Sequence, residues 1–242
     1  MIGLILNEII KLKHTLVLLV CLAAPLCAGA FPVMVMLSHP GDKPWVQMLA
    51  EGAAVWAYFL LPMAVTAVTV LVTQVEHGPR MWNHLLSLPV NRGRLFAAKL
   101  VVTLGLSLLM SVTLYAVLYG AVIAGVCLIP GASVSGDPQW GETFLSLLML
   151  NGAGLTMIVI QLWVALRFRG FAIPLVLGIV GTFFALAIQA ARQAVFLPWL
   201  APAYTFTITR PDSLHVVIFG YAGGLLLIPV MLWHLSQHER AA

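Results

Sequence analysis

Charged residues are scarce in this sequence. Asp, Glu, Lys and Arg together make up only 8% of the 242 residues, whereas about 25% is usual in a soluble domain. Hydrophobic residues make up 62%, and the mean hydropathy is +1.03. An ordinary water-soluble fold is therefore excluded. A membrane span needs about 20 mostly apolar residues with an internally hydrogen-bonded backbone, so the composition predicts an all-α polytopic membrane protein.

Cysteine and catalytic motifs are also sparse. The three cysteines, Cys21, Cys27 and Cys127, lie in apolar segments without CxxC spacing, which argues against a disulfide framework or a zinc site. We interpret them as small packing residues. The seven histidines are scattered, and the sequence contains no HExxH, GxSxG or P-loop. We expect no metal, no cofactor and no catalytic residue in this chain.

Basic residues are too few and too dispersed for a nucleic-acid surface. The net charge is +4, but the 12 Lys and Arg residues lie in short connectors and form no basic face. Ionisable residues are also lacking near the centres of the apolar segments, although ion-coupled secondary transporters usually need them there. Nucleic-acid binding is excluded, and energy for any transport must come from another protein.

Six apolar segments follow one another along the chain. Short connectors rich in Pro, Gly and Ser separate them, and no linker is long enough to divide domains. We predict one transmembrane domain over residues 1–242. Its six spans are about 15–37, 52–75, 100–129, 143–166, 171–189 and 214–235.

The N-terminal region partly resembles a secretory signal, because Lys11 and Lys13 precede an apolar run. That run continues to Leu37, beyond the 7 to 15 apolar residues that are typical of a signal, so we expect an uncleaved first span. Apolar residues recur before it at nearly helical period, opposite Asn7, Glu8, Lys11 and His14: they are Ile2, Ile5, Leu6, Ile9 and Leu12. This pattern fits either an amphipathic interfacial helix or a simple extension of the first span.

The distribution of basic residues predicts the orientation. With the N-terminus inside, nine of the 12 Lys and Arg residues fall on the cytoplasmic side. We therefore expect both termini to be cytoplasmic and the protein to lie in a bacterial inner membrane. Residues 190–213 are unusually apolar for a connector, and Trp199 and Tyr204 suit the membrane interface. We expect this segment to dip into the outer leaflet.

A few polar or small residues within the spans have two interpretations. Asn151 and Gln161 could pack between helices or line a cavity, and packing is the simpler expectation. Gly220 and Gly224 form a GxxxG pattern that would let another helix approach closely.

The segment from Glu76 to Lys99 differs from the other connectors. It reads EHGPRMWNHLLSLPVNRGRLFAAK and holds four of the inside basic residues. Its Pro-bounded centre has one apolar and one polar helical face, which predicts a short amphipathic helix at the membrane surface. The apolar face holds Met81, Trp82, Leu85 and Leu88, and the polar face holds Asn83, His84 and Ser87.

This segment resembles the second cytoplasmic connector of ABC-2-type permeases, the membrane subunits of ATP-binding-cassette transporters. In that family an acidic residue precedes a leucine pair, S-x-P-V-x-R and a downstream lysine. The matches here are Glu76, Leu85, Leu86, Ser87, Pro89, Val90, Arg92 and Lys99. Many relatives have Gly and Thr where Arg80 and Met81 stand. Trp82 ahead of the leucine pair looks most like the small permeases of bacitracin- and lantibiotic-resistance exporters.

The resemblance implies a non-catalytic transport subunit whose connector forms a coupling helix that docks in a groove of an ATPase subunit. The implied partners are two ATPase subunits, which carry ATP and magnesium, a second identical or homologous permease, and membrane lipids. The implied substrate is a peptide antibiotic, lipid or drug-like amphipathic molecule, and export is the commoner direction. The candidate coupling residues are Glu76, Met81, Trp82, His84, Leu85, Leu86, Ser87, Pro89, Val90, Arg92 and Lys99.

Two functions of other classes remain open on the residues alone. The chain could be a membrane scaffold or assembly factor without transport, or, with less support, a membrane-embedded enzyme. Taken singly, Arg92, Arg94 and Lys99 need be no more than positive-inside anchors, and Glu76 a charge at a helix end. Their joint spacing favours the permease.

Overall fold

A computed structural model of the chain describes residues 1–13, 15–77, 92–168, 170–207 and 213–238, and most of them are helical. The α-helices are α1 (Ile2–Leu12), α2 (Val17–Ser38), α3 (Trp45–Val55), α4 (Leu61–His77), α5 (Arg92–Leu128), α6 (Trp140–Ala153), α7 (Leu155–Arg167), α8 (Ala172–Ile188) and α9 (Ser213–His238). A π-helical turn, Trp56–Leu60, joins α3 to α4, and two 3-10 helices, Arg192–Phe196 and Ala203–Thr207, precede α9.

Each apolar run of the sequence forms helix, which confirms an all-α membrane protein. In the described part of the chain, four helical stretches are long and apolar enough to cross a membrane, and there are five if the bent pair α6–α7 is one span. The remaining run, α8, has only 17 residues and is about 25 Å long, against a hydrocarbon core of about 30 Å. Six complete crossings therefore remain a prediction.

Several helices extend beyond the apolar runs. The second span region is continuous helix from Trp45 through the π turn to His77, and α5 begins at Arg92 rather than near residue 100. Hydropathy marks only the apolar part of a helix, whereas backbone hydrogen bonding continues into polar ends that lie outside the bilayer core. With 37 residues, α5 is about 55 Å long.

The fourth apolar run is broken. Its two helices, α6 and α7, meet at Gly154 with a bend of 44°. The GxxxG pattern of α9 packs against this break: a methyl group built on Gly220 would overlap the carbonyl of Ala153, and one on Gly224 would overlap Leu155. The helix that approaches the GxxxG pattern so closely therefore belongs to the same chain.

The two ends of the bundle differ. At one end the start of α5 packs with the ends of α7 and α9, as Phe96, Leu166 and Leu235 share one buried cluster; we name this the connector end. At the opposite end, the strand end, β1 (Asp42–Pro44) pairs in parallel with β2 (Ser133–Ser135). This short ladder is the only sheet in the described part of the chain.

The strand end also carries stacked aromatic rings. The rings of Tyr119 and Trp140 lie 4.0 Å apart between centroids at 21°, and the Tyr119 hydroxyl donates a 2.6 Å hydrogen bond to the Pro138 carbonyl. Such amphipathic aromatic groups are typical of a membrane–water interface.

The segment after α8 packs into the bundle instead of lying in solvent. Trp199 is only 6% exposed, and Leu200, Ala201 and Ala203 are buried as well. The Trp199 ring lies against Gly181, where any side chain would overlap the indole. The dip of residues 190–213 into the outer leaflet stays a prediction.

Candidate functional site

The predicted coupling segment joins two helix ends at the connector end. Residue 77 is the last of α4 and residue 92 the first of α5. Glu76 and Arg92 lie on these helices, although their side chains are outside the described part. Eight candidate residues lie outside the described residues altogether: Met81, Trp82, His84, Leu85, Leu86, Ser87, Pro89 and Val90. Among the candidates, the structure therefore describes the side chain of Lys99 alone.

Lys99 lies two turns into α5 and is completely buried. Its ammonium nitrogen is 2.8 Å from Oε2 of Glu8, which is itself only 4% exposed. The other oxygen of Glu8 accepts a 2.7 Å hydrogen bond from Lys11 on the same helix. One carboxylate thus contacts two ammonium groups, and α1 is tied to the base of α5 by an ion pair between residues 91 positions apart.

The ion pair determines which face of α1 is turned towards the bundle. The helix turns Glu8 and Leu12 towards α5, while Ile2, Leu6, Ile9 and Ile10 are exposed. An amphipathic helix on a soluble protein buries its apolar face, so this arrangement is inverted. It is favourable where the exposed side faces lipid. Because α1 ends at Leu12 and α2 begins at Val17, α1 is a separate helix and not an extension of the first span.

Burial and charge act in opposite directions on Glu8. Removal from water raises the pKa of its carboxyl, but the attraction of Lys99, with hydrogen bonds from Lys11 and Lys99, outweighs this and holds the pKa below its usual range. Glu8 is therefore ionised at neutral pH. A buried charge without a partner is costly, so Lys99 and Glu8 are each needed to keep the other stable where it is.

Lys99 was predicted as part of an ATPase-coupling segment, and that role stays a prediction. Its ammonium group lies inside the protein, against Glu8 of α1. The sequence placed Glu8 on the polar face of a possible interfacial helix but gave no sign of its partner.

Other polar contacts hold the helices together. The Asn151 side chain accepts a 2.6 Å hydrogen bond from Ser107 and donates one to Ser111, which joins α6 to α5. The Gln161 amide donates a 2.6 Å hydrogen bond to the Pro174 carbonyl of α8. Both residues pack between helices of one chain, in agreement with the simpler expectation.

Near the connector end, the Trp163 indole donates a 3.1 Å hydrogen bond to Nδ1 of His234, which links α7 to α9. No group of three or more His, Cys, Asp or Glu residues that could hold a metal ion occurs among the described residues. Of the cysteines, Cys21 is buried, whereas Cys27 and Cys127 are exposed. The packing role expected for all three thus fits the position of Cys21.

Comparison with known proteins identifies the family. The sequence model of a family described as "ABC-2 family transporter protein" matches residues 4–185. The match begins within α1 and ends within α8, so it includes Glu8, the connector and Lys99. No curated protein and no solved structure matches the chain. Because the family match covers well over half of the sequence, the chain belongs to the ABC-2 transporter family and is a multi-pass membrane permease subunit of an ABC transporter.

Proposed function

We propose that this permease couples to its ATPase subunits through residues 76–99 and exports an amphipathic substrate of the peptide-antibiotic, lipid or drug class. Two permeases, identical or homologous, form the pathway, and two ATPases bind and hydrolyse ATP with magnesium. The family match over residues 4–185 carries this proposal. It implies an ATPase partner, whereas the substrate, the direction and the small bacitracin- or lantibiotic-type subclass rest on the resemblance of the connector.

The described helix ends support a mechanical role for the connector. The connector leads directly into α5, and the α1 helix is fixed to α5 at Lys99, seven residues after Arg92. A push on the connector therefore reaches α5 and α1 together. The apolar residues Met81, Trp82 and Leu85 supply the face that fits an ATPase groove, and Arg92 contributes charge at the same junction.

Co-purification with the cognate ATPase tests this proposal. Replacing Trp82 by Ala removes a large apolar contact of the kind that dominates protein interfaces, and we expect a loss of about 2 kcal/mol or more, or about thirty-fold in affinity. Arg92→Glu should weaken the same junction by charge reversal. ATPase binding and permease-stimulated hydrolysis are measured at equal membrane abundance of each variant.

Asp137→Arg is the matched charge-reversal control. Asp137 is an exposed residue between β2 and α6, at the strand end, separated from the connector by a hydrocarbon core of about 30 Å, and its reversal should leave ATPase binding intact. Normal coupling in both connector variants would show that the ATPase docks elsewhere. If no ATPase binds the intact chain, the scaffold function is favoured instead.

A further inference from the structure

An apolar groove lies beside the buried ion pair, between α1 and α5. It has a volume of about 540 Å³ and is formed where α1, the start of α2 and α5 meet. Ile5 and Ile9 form one wall, and Val101 and Leu109 form the other. From Val101 to Leu109 the groove follows about 12 Å of α5. A cleft of this shape that opens towards lipid fits a hydrocarbon chain.

Two features distinguish this groove from an ordinary lipid-facing surface. Gly105 leaves a notch in the α5 wall, since a methyl group built there would meet no atom within 4 Å. Among the described residues that line the groove, Lys13 is the only charged one. Lys11, two residues earlier, already pairs with Glu8. In the described part of the chain, no carboxylate pairs with Lys13.

We infer that this groove is a binding site for one phospholipid with an anionic headgroup. An acyl chain occupies the notch at Gly105 between α1 and α5, and the phosphate-bearing headgroup pairs with Lys13. The lysine stem lies along the apolar wall while its ammonium group reaches the interface, as long basic side chains do. Charge complementarity selects an anionic over a zwitterionic headgroup, and basic pockets between membrane helices bind anionic lipids by the same attraction.

The site also has a structural consequence for α1. One side of α1 is held by the Glu8–Lys99 pair, and the lipid would fill the other side, so that both faces of the helix are satisfied only in a membrane with anionic lipid. This inference does not depend on the identity of the substrate or on where the ATPase docks. Its failure would leave the coupling proposal untouched.

Native mass spectrometry of the delipidated full-length chain tests the site. Phosphatidylglycerol and phosphatidylcholine with identical acyl chains are offered in equal amounts. We expect one tightly bound lipid, with a preference of about fivefold for phosphatidylglycerol, as one lysine at a membrane surface provides. Glycerol phosphate, which has the anionic group without acyl chains, should not compete.

Variants separate the headgroup contact from the acyl contact. Lys13→Gln should abolish the headgroup preference, while Lys43→Gln, which removes a positive charge at the strand end, should keep it. Gly105→Leu should reduce the binding of both lipids by filling the notch. Gly120→Leu is its matched control, since Gly120 lies on the same helix and also has open space around it.

Ile9→Trp is a second groove-filling variant, which keeps the test valid if the Gly105 variant misfolds. Ile9 is 52% exposed, so a tryptophan there fills the groove from the α1 side without disturbing the core. The inference is wrong if both lipids bind equally to the intact chain, if Lys13→Gln keeps the preference, or if Gly105→Leu and Ile9→Trp bind lipid as Gly120→Leu does. A change of oligomeric state in the groove variants, with lipid binding unchanged, would identify the groove as a contact between two copies of the chain.

Discussion

At the scale of single residues, the Glu8–Lys99 pair is a buried contact in which each charge depends on the other. Replacing only Lys99 by Met leaves Glu8 buried without its main partner, which should cost about 3 to 5 kcal/mol. The double variant Glu8→Leu with Lys99→Met should recover most of this loss, because buried pairs are often replaced by apolar residues at little cost. Thermal unfolding in detergent gives the comparison, with Lys43→Met as the lysine control. Additive losses in the double variant would contradict the pairing.

The lowered pKa of Glu8 predicts that acid weakens the attachment of α1 to α5. The folded-state pKa of Glu8 is lowered, so its contribution to stability is complete above the unfolded value of about 4.3 and is lost as pH falls through the lower folded value. Below that range α1 should detach from α5. Spin labels at Leu6 and Leu108, both exposed, report the separation in a background without the native cysteines. An acid-induced increase that persists when Glu8→Leu and Lys99→Met are combined would assign the change to another group.

The partner of Lys99 could not have been predicted from the sequence. Amphipathic periodicity identified Glu8 as a polar residue of a helix, and family resemblance drew attention to Lys99. Nothing in their spacing joins two residues so far apart in the chain, because the contact depends on how α1 folds back along α5. Hydropathy also predicts that an amphipathic helix has an apolar side without deciding whether that side faces protein or lipid.

At the scale of elements, the contact between α9 and the α6–α7 break can be tested with two glycines. Gly220→Ala places a methyl group against the Ala153 carbonyl, which is backbone and cannot rotate away, and overpacking of this kind costs about 1 to 3 kcal/mol. Gly120→Ala, where no atom lies within 4 Å, should be neutral or stabilising by up to about 1 kcal/mol, since Ala favours helix. Thermal unfolding temperatures of the two variants should therefore move in different directions or by clearly different amounts.

A hydroxyl supports the same contact. Thr156 on α7 donates a 2.7 Å hydrogen bond to the Gly220 carbonyl of α9. Thr156→Val should destabilise the protein by about 1 kcal/mol, because the hydrogen bond is lost while the shape is kept. Adding Thr156→Val to Gly220→Ala should then cost less than it does alone, since the first change has already separated the helices. Independent effects would place the two residues in separate contacts.

The sequence predicted that each apolar run is helical, but it predicted the first and last residues of the helices less well. Each run of about 20 apolar residues is helical, as the lack of water in a bilayer requires. The break at Gly154 escaped prediction because both sides of it are equally apolar. The early start of α5 was also hidden, since Arg92, Arg94 and Lys99 look like a connector when hydropathy alone is considered.

At the scale of the whole molecule, the orientation predicted from basic residues remains to be measured. Single cysteines at Asp42, Asp137 and Asp212, in a background without Cys21, Cys27 and Cys127, should react with an impermeant reagent in intact cells. Cysteines at His84 and Arg169 should react only after lysis, because the positive-inside rule places those connectors in the cytoplasm. Reaction at position 84 in intact cells would reverse the proposed orientation, and a cleaved N-terminus in mass spectrometry would remove the first span.

The length of α5 has a mechanical consequence. This helix is continuous over about 55 Å, while the bilayer core is only about 30 Å thick, so a tilt about a point within the membrane would move both of its ends. A tilt of about 10° around its midpoint would displace each tip by about 5 Å, in opposite directions. A small movement of the connector at Arg92 would thus reappear near Leu128, on the far side of the membrane, without any change of helix geometry between them.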